Sequence, residues 1–169
     1  MGRGRPSKSE IREKITALLD RLQFSYGYEI YKHYQSIFDN ATARVIYYHL
    51  KKGVELGEFV TVNVERVVGN FSWGAETERV YYALGPFAKT RQEWWKKTAD
   101  LNLKPNDITY DWGTEIKNQI KILKKEVKKG GGNKKRLINK CNKLLNWCKL
   151  KTKNPDLIKQ IKNIKSFIK

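Results

Sequence analysis

NATARVIYYHLKKGVELGEFVTVNVERVV, Asn40 to Val68, changes its period halfway along. Up to Leu56 the apolar residues recur every three or four positions, as on a helix of ~3.6 residues per turn. From Phe59 to Val68 the spacing falls to two and β-branched residues dominate, which reads as a strand. Placed on a helical wheel, Ile46 and Leu50 lie together with Thr42, Ala43 and Gly53, and this side is expected to face a core. Arg44, Tyr48, Lys51 and Lys52 lie on the opposite side. Tyr47 and His49 fall on the flanks. Gly53 on the inner side costs about 1 kcal/mol of helix propensity against alanine. It predicts a close approach, with Tyr31 or Tyr34 of the preceding helix filling the missing volume.

Working outward, two more helices precede this one. Ser7 and Glu10 have the spacing of a capping box, and Ile11, Ile15, Leu18, Leu19 and Leu22 follow at helical intervals. SYGYEIYKHYQSIF, Ser25 to Phe38, predicts a second helix with Ile30, Tyr34, Ile37 and Phe38 inward. Beyond the first strand, Gly69 to Thr77 is turn-like. ERVYYAL, Glu78 to Leu84, is a second strand stopped by Gly85-Pro86. Three helices followed by a β-hairpin is the order of a winged helix. The helix nearest the hairpin is then a candidate for the major groove, where an arginine forks to guanine and a lysine meets phosphate.

The remainder is helical. Thr90 to Glu93 reads as a capping box opening a short helix with Trp94 and Trp95, and residues 104–113 read as a hinge or linker. Ile116, Ile120, Leu123 and Val127 are spaced 4-3-4. So are Leu137, Cys141, Leu144 and Cys148, and Leu157, Ile161, Ile164 and Ile168. GGGN and Asn154-Pro155 separate these seams, with Asn154 as N-cap and Pro155 as first helical residue. The fold class expected is an α+β winged helix followed by an all-α bundle or arm. Its divisions are a flexible basic arm (1–8), the winged helix (9–86), a short helix and linker (87–113) and a lysine-rich three-helix domain (114–169).

The net charge of +18 over 169 residues favours polyanionic partners. It is unevenly placed. Residues 1–114 hold 17 Lys+Arg against 14 Asp+Glu, a balance of +3; residues 115–169 hold 18 against 3, a balance of +15. Lysine contacts phosphate as a point charge, so the tail is expected to supply affinity more than sequence selection. Cys141 and Cys148 lie ~10 Å apart along one helix face, too far for a disulfide, and read as core residues. No metal-ligand spacing, cofactor motif or paired acid and base is present, and no nucleophile or carboxylate is placed to make His49 catalytic. A non-enzymatic protein needing no cofactor is expected. No apolar run spans a membrane, and the cytoplasm is the expected compartment.

SYGYEI, TARVIYYHLKKGVELGEF and ERVYYALGP resemble winged-helix regulators of the PadR-like kind. Gly27, Tyr28, Glu29 and Ile30 match the start of their second helix, Leu50 and Gly57 the end of their third, and Arg79, Tyr81, Tyr82 and Leu84 their returning wing strand. The GRGRP arm, Gly2 to Pro6, makes the chain more similar to a group of archaeal winged-helix proteins. The resemblance covers roughly Gly2 to Pro86. It implies DNA binding, usually as a dimer, with extra C-terminal helices aiding dimerisation.

The candidate contacts are therefore Arg44, Tyr48, Lys51 and Lys52 in the major groove. Arg3 and Arg5 are candidates for the minor groove, where an R-G-R-P core fits the narrow A·T tract. Arg66, Asn70, Trp73 and Arg79 are candidates on the wing, although Glu76 and Glu78 oppose phosphate there and a residue such as Trp73 more often folds back on its own hairpin. Duplex DNA is the favoured partner. Two other readings stay open: ribosomal RNA held by the basic tail, and a protein-interaction module that forms a homodimer through the C-terminal helices.

Overall fold

The computed structural model describes residues 9–38, 40–72, 74–99, 104–106, 108–130 and 133–168. The chain divides into two compact units, residues 1–108 and 109–169.

In the first unit the helices are α1 (Glu10–Leu22), α2 (Gly27–Ile37), α3 (Ala43–Glu55) and α4 (Gln92–Ala99). The strands are β1 (Ser25–Tyr26), β2 (Phe59–Phe71) and β3 (Gly74–Leu84), in the antiparallel order β1-β3-β2. This is a mixed α+β unit with a winged-helix-like order of elements. Its core joins Ile15, Leu18, Leu19 and Leu22 of α1 to Ile30 and Tyr34 of α2, Ile46 and Leu50 of α3, and Phe59 of β2. Each fully buried large apolar side chain is worth about 1.5–3 kcal/mol against exposure, so these periodic residues hold the three helices on the base of the sheet.

Several local expectations change. Helix α1 is capped by Ser9, whose side chain accepts from the Arg12 amide; Ser7, the expected start of the capping box, lies outside the described residues. Ser25 and Tyr26 do not open α2. They pair with Tyr82 and Tyr81 of β3, and the Ser25 hydroxyl donates to Glu29 at 2.7 Å. A two-residue strand has no periodicity to read. The expected loop from Gly69 to Thr77 is mostly strand: β2 runs on to Phe71, which pairs with Gly74, after an irregularity between Val68 and Phe71. Cross-strand pairing overrides the glycine-rich composition and makes the hairpin longer than expected. Thr90 is no cap for α4; its hydroxyl donates to the Glu13 carbonyl at 2.9 Å and ties the segment to α1.

Helix α4, expected next to a linker, packs on α1 instead. Trp95 donates its indole N–H to Asp20 at 2.7 Å, and the Arg91 Nε donates to Glu13 at 2.5 Å. The Lys14 ammonium, nearly buried, lies 4.6 Å from the Trp94 ring centroid and pairs with Glu10 at 2.9 Å. The Glu10 carboxylate and the ring face offset part of the cost of burying that cation.

The second unit comprises α5 (Trp112–Lys128), α6 (Lys134–Lys151) and α7 (Pro155–Ile168), which pack on one another. Its core is formed by the periodic seams: Ile116, Ile120 and Leu123; Leu137, Cys141, Leu144 and Cys148; Leu157, Ile161, Ile164 and Ile168. Trp147 joins them and meets Trp112 edge to face, with ring centroids 5.6 Å apart. The side chains of Asp111, Asn133 and Asn154 accept amide hydrogen bonds at the three helix starts, leaving fewer orphan N–H groups. Cys141 and Cys148 are free and buried, and burial pushes both thiols above their usual pKa. No helix of the described residues is long and apolar enough to cross a membrane.

Candidate nucleic-acid interface

Helix α3 starts at Thr42, an exposed N-cap whose hydroxyl oxygen accepts from the Val45 amide at 3.4 Å. The helical wheel puts Thr42 inward; its capping role turns it to the surface. Ile46, His49, Leu50 and Gly53 are the buried positions of the helix. His49 lies 3.4 Å from the Ser9 hydroxyl through Nδ1, so it packs under the start of α1.

The helix ends in a Schellman motif. Glu58 N–H donates to the Gly53 carbonyl at 2.8 Å, Gly57 N–H donates to the Val54 carbonyl at 3.0 Å, and Gly57 has φ of 70°. The left-handed position belongs to Gly57, while Gly53 is a helical residue in the core. A side chain at Gly53 would collide with the ring of Phe59, not with Tyr31 or Tyr34. Close approach is therefore right and the partner is corrected: the Schellman turn folds β2 back so that its first residue covers the glycine. Buried Arg12 fixes this junction by donating to Glu58 at 2.6 Å.

The face of α3 opposite its buried residues is open to solvent. Arg44, Tyr48 and Lys51 are exposed, on one line at spacings of four and three. Tyr48 is 48% exposed and stands edge to face with His49. Lys52 is only half-exposed, and its ammonium donates to Glu55 at 2.9 Å. That hydrogen bond raises the lysine pKa and lowers that of Glu55. Lys52 thus hydrogen-bonds the carboxylate of Glu55, which Lys51 meets only as a charge without a hydrogen bond among those described.

Tyr47 is a residue that counting periods leaves on the flank. It is 45% exposed, and its ring occupies the space where a side chain at Gly27 would stand. The signal is the glycine of GYEI, but nothing local ties it to a tyrosine 20 positions away. Tyr47 also lines a groove of about 450 Å³ with Tyr26, Tyr28, Phe71, Arg79 and Tyr82, between the start of α2, α3 and the wing. Burial raises the pKa of the Tyr47 and Tyr82 phenols.

The wing is less cationic than its arginines suggest. Strands β2 and β3 carry Glu65, Glu76 and Glu78 against Arg66 and Arg79, three carboxylates to two guanidinium groups. Arg66 faces Glu78 at 3.5 Å, and the Arg79 guanidinium lies 4.8 Å from the Tyr26 ring centroid. Tyr81 donates to Glu65 at 3.1 Å. Asn70 is exposed near the end of β2. Arg66 and Asn70 thus sit on β2 and Arg79 on β3, while Arg44 and Lys51 sit on α3. Arg3, Arg5 and Trp73 lie outside the described residues.

No family model matches the chain, and no curated protein matches it. Among solved structures it is similar to Bacillus subtilis PadR, determined in complex with operator DNA, at 16% identity over 95% of this chain and 96% of that one. The TM-score is 0.33, so the reading of the interface rests on its own residues.

Proposed function

We propose that the protein binds duplex DNA through α3 and acts as a transcription regulator or chromosome-associated factor, without enzymatic activity. The observation that carries this reading is the outer line of Arg44, Tyr48 and Lys51, exposed on a helix whose opposite face is buried and whose two ends are capped. In this reading Arg44, in the first turn, forks to a base edge, Lys51 meets phosphate and Tyr48 lies on the sugar-phosphate wall. Lys52 contributes less, because Glu55 holds it. The winged-helix-like order supports the assignment, since it places the hairpin directly after the helix that would enter the groove. Arg3 and Arg5 would follow the minor groove, Arg66, Asn70 and Arg79 would lie along the flanking backbone, and the lysines of the second unit would add phosphate contacts.

The test is duplex binding by Arg44→Ala and Lys51→Ala at moderate salt. Arg44→Ala is expected to cost about 1–3 kcal/mol and to relax discrimination between sequences. Lys51→Ala should weaken all duplexes alike. Unchanged binding by both variants would remove α3 from the interface.

A further inference from the structure

Within the second unit, α5 and α7 leave a concave strip open between them, of about 440 Å³. On α7 it is lined by Gln160, Asn163, Ile164 and Phe167, and on α5 by Lys124, Val127 and Lys128. These positions follow i, i+3, i+4, i+7 on one helix and i, i+3, i+4 on the other, so the strip runs along both helices. Such a trough fits a third helix laid into it. Its floor is apolar, and Phe167 at one end is 86% exposed although its helix neighbours Ile164 and Ile168 are buried.

The rim decides the occupant. Lys124 and Lys128 are exposed on the α5 side. Residues 115–169 contain three carboxylates, and none lines the strip. Glu126 is held by the Lys140 ammonium at 2.6 Å, Glu115 accepts from Gln119 at 2.8 Å, and Asp156 sits in the first turn of α7. A second copy of the chain would bring helices of the same +15 segment against this rim, lysine facing lysine. A bare phosphate backbone would satisfy the lysines and leave the apolar floor uncovered.

We propose that this trough receives an amphipathic helix of another protein, apolar on one stripe and flanked by acidic residues. The apolar stripe covers Val127, Ile164 and Phe167, and the acidic flanks meet Lys124 and Lys128. The assignment is independent of the reading of α3.

The experiment uses the full chain and two labelled synthetic peptides of equal composition, followed by fluorescence anisotropy at physiological ionic strength. One has leucines at i, i+3, i+4 and i+7 among glutamates; the other has the same residues scrambled. The striped peptide is expected to bind at least about tenfold more tightly, the size of effect that a central apolar anchor commonly gives. Phe167→Ala should remove that preference, and Leu150→Ala, also exposed but elsewhere, should keep it. The double variant Lys124→Glu/Lys128→Glu should weaken the striped peptide as well. Equal binding of the two peptides, or a preference that survives Phe167→Ala, overturns the proposal. So does a dimer seen by sedimentation that Phe167→Ala converts to monomer, which gives the trough to a second copy. Binding of anionic vesicles or single-stranded RNA that is abolished in Phe167→Ala, with no preference for the striped peptide, gives it to those partners instead.

Discussion

At Gly53 two opposite effects of one methyl group can be compared. Alanine would gain about 1 kcal/mol of helix propensity. Its Cβ would also enter the Phe59 ring, which is 1% exposed and enclosed by the core. Overpacking of this kind typically costs about 1–3 kcal/mol, so Gly53→Ala is expected to be destabilising overall, with a lower urea midpoint. In a Phe59→Leu background the penalty should shrink or change sign, because the ring that fills the site is gone. A double-mutant cycle measures that coupling; additive effects would show that the ring is not the obstacle. The inward face of Gly53 was legible because a wheel needs only local sequence. Its partner was not, since the chain direction after α3 is set by the left-handed residue Gly57 and the return of β2. Tyr47 and Gly27 are hidden from the sequence for the same reason: they meet only when α2 and α3 are packed.

The longer elements divide by how much of their stability is local. The seams of α5, α6 and α7 repeat at 4-3-4 and are buried almost throughout, so counting alone found them. The distal wing has no such pattern. Val64 and Val68 are exposed, and Gly69 interrupts the run, so only pairing with β3 makes it a strand. Helix starts lie between these cases, since a cap is local chemistry but several residues can compete for it. Asp111 at the start of α5 can be tested by pH. It accepts from the Thr114 hydroxyl at 2.5 Å and from the Thr114 amide at 3.2 Å, and these bonds hold its carboxyl below the ordinary value of 3.8. A carboxyl depressed in the fold contributes stability above its unfolded pKa and loses it as pH falls through the folded one. The Thr114 amide proton should therefore shift as pH is lowered below the ordinary value of 3.8. In Asp111→Asn, which can still accept but does not titrate, that shift should be absent. A wild-type resonance that stays fixed through this range would mean that the carboxylate is not the cap.

For the molecule as a whole, the charge balance and the candidate reading helix belong to different units. Residues 1–114 have a balance of only +3, and the wing carries more carboxylates than guanidinium groups. In the proposed interface Arg44 would choose a sequence and Lys51 would meet phosphate, and these two cations alone would give only a shallow salt dependence. The lysines of α5, α6 and α7 can give a steep one and carry little sequence information. The two contributions separate in the full chain. Replacing the exposed Lys117, Lys121, Lys125, Lys159 and Lys162 by glutamine leaves the seams and both rim lysines of the trough in place. If these lysines meet phosphate, the slope of log affinity against log salt becomes shallower by about 0.9 for each phosphate no longer neutralised. Preference among duplex sequences should then be retained. Arg44→Ala should do the reverse, eroding preference while changing the slope by no more than a single phosphate would. A slope unaffected by the five glutamines would confine DNA affinity to the first unit, and the cations of the second would be left to the acidic flanks of a helical partner.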